Sequence, residues 1–183
     1  MIACIGWGSL IWDVGNLDVD RNWRTDGPVL PVEFARQSSN GRITLVLVQG
    51  AVPVPALWST FNTRDLARAR ESLRQREGVF RSRGDDLIAH WGQGENPASE
   101  PDATIAAWAA EKDFDAAVWT NLPPKFDEID GRVPTENEVI AYLRTLEGQV
   151  RTAAEEYVRR APRQIATAYR RAIERALGWT PSD

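Results

Sequence analysis

Short apolar runs separated by turn residues fill the first half of the chain, and longer helical periodicities fill the second. Ile2–Ile5, Leu30–Arg36, Ile43–Gln49 and Val52–Trp58 read as strands of four to seven residues. Asn40-Gly41, inside "SSNGR", stands between two of these runs and predicts a hairpin, because a tight two-strand turn needs positive φ. Pro53 and Pro55 remove backbone donors from the fourth run and place it at an edge or in an irregular strand. A helix is expected from about Thr63 to Glu77, with Asn62 and Thr63 as candidate N-caps, Asp65 in its first turn and Gly78 at C′.

Residues 81–100 read as loop. A short helix over about Asp102–Lys112 then leads to a fifth strand in "DAAVWTNL", and "PPKFDEIDGRVPT" reads as a connector. Thr135 with Glu138 forms a T-x-x-E capping box that opens a long amphipathic helix. Its apolar stripe takes in Val139, Ile140, Leu143, Leu146, Val150, Ala154, Tyr157 and Val158, with Gly148 as a break. Pro162 ends that helix and starts a last one that stops at Gly178. Strands early and helices late give an α+β class. The length of 183 residues suits a single domain, with residues 1–130 as a core and 131–183 as a helical extension packed on it.

Composition narrows the chemistry. The formal charge of −4 gives no reason to expect nucleic acid or an anionic membrane as partner. No apolar run is long enough for a membrane span, and the start of the chain lacks the positive region of a signal peptide. A lone Cys4 excludes an internal disulfide framework and fits a reducing compartment, so a cytoplasmic location is expected. One histidine and one cysteine fall short of the usual zinc ligand set. His90 reads as a solvated loop histidine. Acid–base chemistry then falls to a carboxylate.

Two glutamates are candidates. On the helix ending at Glu77, Leu66, Leu73 and Glu77 share one stripe, which sets a carboxylate in line with the core. Burial and the negative end of the helix dipole both raise its pKa, towards the range of a general base near neutral pH. A salt bridge with Arg70 or Arg74, or fraying at the helix end, accounts for the same pattern. Glu33, in "LPVEFAR", is either buried beside a pocket or faces solvent, the commoner case.

The opening "IACIGWGSLIWD" raises a separate question. Two glycines around Trp7 interrupt a strand, which marks a bulge or a close approach to the backbone. Neither a dinucleotide fingerprint nor a P-loop fits, since the further glycines or Gly-Lys-Ser/Thr are missing. A strand-end loop remains, either with backbone N–H groups free to hold an oxygen or as a bulge without a ligand. Trp7 and Trp12 flank it and could wall a pocket. In the last helix Arg163, Arg170, Arg171 and Arg175 occupy one side and form a solvated basic face.

A strand running into Gly-Ser-Leu, a hairpin, and a helix ending in Glu-Gly together resemble the γ-glutamylcyclotransferase-like family, which includes γ-glutamylamine cyclotransferases and the glutathione-degrading ChaC proteins. "IGWGSLIWD" stands where that family has Tyr-Gly-Ser-(Asn/Leu), and "LRQREGV" matches its Glu-Gly segment, with Glu77 in the catalytic position. "VEFARQSSNGRITLVL" resembles its second and third strands. The resemblance covers residues 2 to 80 and the strand at 116 to 120.

It implies a mixed β-barrel of about five strands with flanking helices, to which the two C-terminal helices are added. It also implies a reaction in which the α-amine of a γ-glutamyl group attacks its own γ-carbonyl, releasing 5-oxoproline and a free amine with no metal and no cofactor, in agreement with the histidine and cysteine count. Holding the two reacting atoms together contributes up to about 7–11 kcal/mol in the best cases. Glu77 would shuttle the proton, and Trp7, Gly8, Ser9 and Leu10 would bind the glutamyl part and its oxyanion. The sequence departs from the family at Trp7 and Trp119, where relatives carry tyrosine, and in "VFRSR", where Phe80 and Arg83 stand for a Tyr-x-Arg pattern. A more apolar site with a different leaving amine, or a binding protein without turnover, follows from those departures.

Overall fold

The computed structural model describes residues 1–79 and 87–182. In chain order the first strands are β1 (Ile2–Gly6), β2 (Val29–Leu30), β3 (Val32–Gln37), β4 (Ile43–Leu47), β5 (Val54–Pro55) and β6 (Leu57–Thr60), with a 3-10 turn, Ser9–Ile11, after β1. Helix α1 (Leu66–Arg76), β7 (Ile88–Gly92), α2 (Glu100–Glu111) and β8 (Ala116–Thr120) follow. The remainder is β9 (Lys125–Phe126), β10 (Ile129–Asp130), α3 (Glu136–Thr145), α4 (Gly148–Arg160) and α5 (Ala168–Leu177). The class is α+β. The chain forms two compact units, and among the described residues neither of its two four-stranded sheets closes on itself.

The first unit comprises Met1–Gly6, Leu10–Leu30 and Pro55–Leu122. Its sheet runs β6-β1-β8-β7, with β1 antiparallel to β6 and parallel to β8. Every residue of β1 is buried, as expected of a strand with neighbours on both sides and both faces covered. Ile2 and Cys4 pack with Ala116 and Val118 of β8 and with Ala69 and Leu73 of α1. The expected fourth run divides: Val54–Pro55 forms the short strand β5, paired with β2, and Leu57–Thr60 forms β6 at the edge of the first sheet.

Helix α1 begins later than its sequence suggests. Asp65, not Asn62 or Thr63, is the N-cap, accepting from the amides of Ala67 and Arg68, while the Thr63 hydroxyl accepts from Asp65 N–H. Gly78 takes the left-handed conformation (φ 64°) and ends the helix as foreseen. The expected loop over 81–100 contains β7, paired along its length with β8. His90 is therefore a half-buried strand residue rather than a loop residue, and burial together with nearby Arg70 pushes its pKa down. Period-2 alternation is weak in "IAHWG", and the neighbouring polar residues hid the strand. Helix α2 starts at Glu100 with Ser99 as its cap.

The second unit comprises Trp7–Ser9, Pro31–Val54 and the chain from Pro123 onward. Its sheet runs β10-β9-β3-β4. The β3–β4 hairpin turns at Asn40-Gly41, with Gly41 at φ 77° and Ser38 N–H bonded to the Arg42 carbonyl. The expected connector after Pro123 carries the β9–β10 hairpin instead. Its two-residue loop, Asp127-Glu128, has positive φ at both positions (49° and 60°), a conformation for which Asn-Gly is the usual signal.

The Thr135–Glu138 capping box is present at α3. The long helix divides next to the expected break at Gly148: Leu146 turns extended and Gly148, at φ 53°, starts the second helix. Val150, placed on the apolar stripe by periodicity, is exposed, because this break rotates α4 relative to the α3 pattern. Helix α5 starts at Ala168 under a Thr167 cap, six residues after Pro162. Arg170 explains the delay. It is buried, not on a solvated face, and donates to the carbonyls of Ala161, Pro162 and Ile165, which hold the intervening loop out of helix. No helix among the described residues is long and apolar enough to cross a membrane.

Left-handed backbone at a β-carbon-bearing residue costs about 1–2 kcal/mol, and Glu128 sits there with an exposed side chain paired to Lys125. Glu128→Gly is expected to raise the denaturant midpoint, by about 0.5–1 kcal/mol. A lowered midpoint at unchanged m-value would contradict that assignment.

Candidate functional site

In the first unit Glu77 is the C-cap of α1. Its side chain keeps 16% of its accessible surface, so it is neither frayed nor turned to solvent. Oε1 accepts from Arg76 Nη1 at 2.6 Å. Arg76 in turn donates twice to the Asp13 carbonyl, at 3.2 Å from Nε and 2.5 Å from Nη2. The ion pair thus exists, but with Arg76 in place of Arg70 or Arg74. Arg74 is committed to Glu71 and the Val79 carbonyl. Helical spacing favours partners three or four residues away; here the neighbour in sequence reaches the carboxylate of the cap residue instead.

Cys4 lies near this pair in the core. Burial, and then the Glu77 charge, push its thiol well above the usual cysteine range, so it is an inert core residue. Gly6, at the end of β1, packs against the Trp23 indole and Ile11: a Cβ there would meet Trp23 at 3.0 Å. The Trp23 Nε1 is buried and has no hydrogen-bond partner among the described residues. Trp119 is fully buried with its Nε1 in the same state, while Trp12 is half-buried. Leu10 is a buried core residue of this unit.

In the second unit Trp7 is buried and donates its indole N–H to the Leu45 carbonyl at 3.2 Å. The Tyr157 hydroxyl accepts from Leu45 N–H at 3.2 Å, and a Cβ on Gly8 would come within 2.6 Å of that oxygen. Gly8 is therefore required by the packing of Tyr157 from α4, whose ring also meets Phe34 edge-on. Ser9 follows at the start of the 3-10 turn. Tyr157 was legible as part of an apolar stripe; its polar end, which explains the glycine, carried no sequence signal.

Glu33 resolves on the buried side. It is 4% exposed and sits beneath the N-terminus of α5, accepting from Thr167 Oγ1, from its neighbour Phe34 N–H at 2.8 Å and from Tyr169 N–H at 3.2 Å. Burial pushes its pKa up, and these donors only partly offset that. Its oxygens are engaged in holding α5, which makes it a structural carboxylate. Phe80 and Arg83, with the adjoining stretch of the expected loop, lie outside the described residues.

The described residues hold no group of three or more His, Cys, Asp or Glu side chains placed to bind a metal. The chain matches no family model, and no curated protein or solved structure matches it either.

Two outcomes follow from this geometry. Gly8→Ala forces Tyr157 from its bond to Leu45 and is expected to destabilise by about 1–3 kcal/mol. Combining it with Tyr157→Phe should recover part of that loss in a double-mutant cycle of denaturant melts. Glu33, with its folded pKa raised, retains a proton that the unfolded chain has lost. Its contribution to stability is full below the ordinary glutamate value and declines as pH rises through the raised one. His90 acts in the opposite sense, so the measurement is the difference in thermal midpoint between wild type and Glu33→Gln across pH 4–7. That difference should shift in the variant's favour as pH rises, and a flat difference would refute it.

Proposed function

We propose that this chain is a γ-glutamyl cyclotransferase-type enzyme built on a cyclotransferase-like core, acting on a γ-glutamyl amine or peptide. The observation that carries the reading is the state of Glu77. It is a shielded carboxylate at a helix end, fixed by an arginine that is itself tied to a backbone carbonyl. A proton shuttle needs such a group, shielded from bulk water and held in one place. In the reaction the α-ammonium of the glutamyl group gives a proton to Glu77. The freed amine attacks the γ-carbonyl carbon, Glu77 returns the proton to the leaving nitrogen as its bond to that carbon breaks, and the ring nitrogen gives its remaining extra proton to the departing amine, which leaves as an ammonium. On this reading backbone N–H groups hold the glutamyl part and serve its oxyanion. All bonds are made and broken within one substrate, so no cofactor enters the balance.

A second reading is a binding protein without turnover. It is favoured by the engagement of Glu77 Oε1 with Arg76, which occupies part of the carboxylate's capacity.

The deciding assay is 5-oxoproline release from γ-glutamyl amino acids, γ-glutamyl amines and glutathione, by wild type and Glu77→Gln. The expected result is release by wild type that falls about 10²–10⁴-fold in the variant. Binding of these compounds without release would favour the second reading. Equal release by both proteins would remove Glu77 from the mechanism.

A further inference from the structure

Arg42 precedes β4 at the end of the hairpin turn in the second unit, and its side chain differs in its partners from those of Arg36, Arg132 and Arg170. Arg36 donates to the Pro123 carbonyl, Arg132 to Asp127 and Arg170 to three carbonyls. The Arg42 Nε is buried and has no hydrogen-bond partner, and no carboxylate among the described residues pairs with its guanidinium. The guanidinium lies over an aromatic ring: Cζ is 5.5 Å from the centroid of Tyr157. Arg42 is half-buried: its Nε is withdrawn from water without an acceptor, which is unfavourable, while the rest of the guanidinium is not among the buried polar groups.

Tyr157 connects this cation to the glycine segment. Its ring carries Arg42, and its hydroxyl occupies the space that a Gly8 side chain would take. Leu45 fixes the same hydroxyl through its N–H and holds the Trp7 indole through its carbonyl. All of these groups belong to one compact unit. We propose that Arg42 is the anchor for a carboxylate group of the small-molecule ligand, received beside the Trp7–Ser9 segment. A guanidinium offers parallel N–H donors that match the two oxygens of a carboxylate. It also carries a single charge, which a carboxylate balances and a phosphate dianion exceeds. Resting on the cyclotransferase reading, this carboxylate is the α-carboxylate of the γ-glutamyl group.

The test uses the full chain and calorimetric titration with 5-oxoproline, L-glutamate and acetate, with 2-pyrrolidinone as the carboxylate-free counterpart of 5-oxoproline. Wild type should bind 5-oxoproline at least roughly tenfold more tightly than 2-pyrrolidinone, the effect of one charge-assisted pair. Arg42→Gln should abolish that preference and Arg42→Lys should retain part of it. The thermal midpoint of Arg42→Gln should equal or exceed that of wild type, because no hydrogen bond is lost. With a γ-glutamyl substrate, KM should rise about 10- to 100-fold at nearly constant kcat.

Retention of the preference by Arg42→Gln would overturn the assignment. So would a marked fall in its thermal midpoint, or failure of wild type to bind any of the three carboxylates. A carboxylate preference that depends on Arg42, in a protein that releases no 5-oxoproline, would leave this site standing while the cyclotransferase reading falls.

Discussion

The second unit depends on one buried carboxylate. Glu33 lies in the middle of a sheet strand, yet its oxygens point at the first turn of the last helix and take its otherwise unpaired amides. A helix end buried against a sheet leaves donors that no neighbouring strand can satisfy, and a carboxylate in β3 meets that need from below. Thr167 serves twice, capping α5 through its side chain and donating its hydroxyl to Glu33. Arg170, one turn on, gathers the carbonyls of the loop that enters the helix. Sheet, loop and helix are fixed by complementary polar groups within an otherwise apolar interior, and removing any one strands the others without partners.

Those same contacts mark where reading from sequence stops. Local rules hold where the chain answers to its near neighbours. Asn40-Gly41 makes its hairpin, Thr135 and Glu138 make their box, and Gly78 and Gly178 end their helices in the left-handed region. Each is decided within four residues. Glu33 to Thr167 spans more than a hundred, and nothing near Glu33 distinguishes a buried cap from a solvated edge residue. Arg170 fails for the same reason: helical periodicity assigns it to the basic side, but the carbonyls that draw it inward come from loop geometry. The Asp127-Glu128 turn escaped because it uses residues that bear the backbone strain instead of the ones that avoid it.

The candidate site divides along the same line. That Glu77 would be shielded followed from its place on the helix stripe. That its partner would be Arg76 did not, because adjacent residues on a helix diverge and the pairing exists only at the cap, where helical geometry ends. Arg76 also reaches the Asp13 carbonyl, so the carboxylate's position is set jointly by the end of α1 and the loop after β1. A general base benefits from that rigidity, and a binding-only protein benefits equally. Geometry of the pair therefore constrains the role of Glu77 less than the identity of what meets it.

Gly8 makes the relation between packing and chemistry explicit. A glycine beside a tryptophan invites the inference that a ligand approaches the backbone, and here a protein group, the Tyr157 hydroxyl, takes that space. Structural necessity is thus enough to account for the glycine, and function has to be argued from groups that structure leaves unsatisfied. Tyr157 and Trp7 both hydrogen-bond Leu45, whereas the buried Nε of Arg42, laid over the same ring, has no hydrogen-bond partner among the described residues. Two neighbours of one side chain, one fully accounted for by packing and one not, separate what holds the fold from what the fold holds ready. A guanidinium that makes no hydrogen bond among the described residues, on a support this well tied, is placed for a partner that comes from outside the chain.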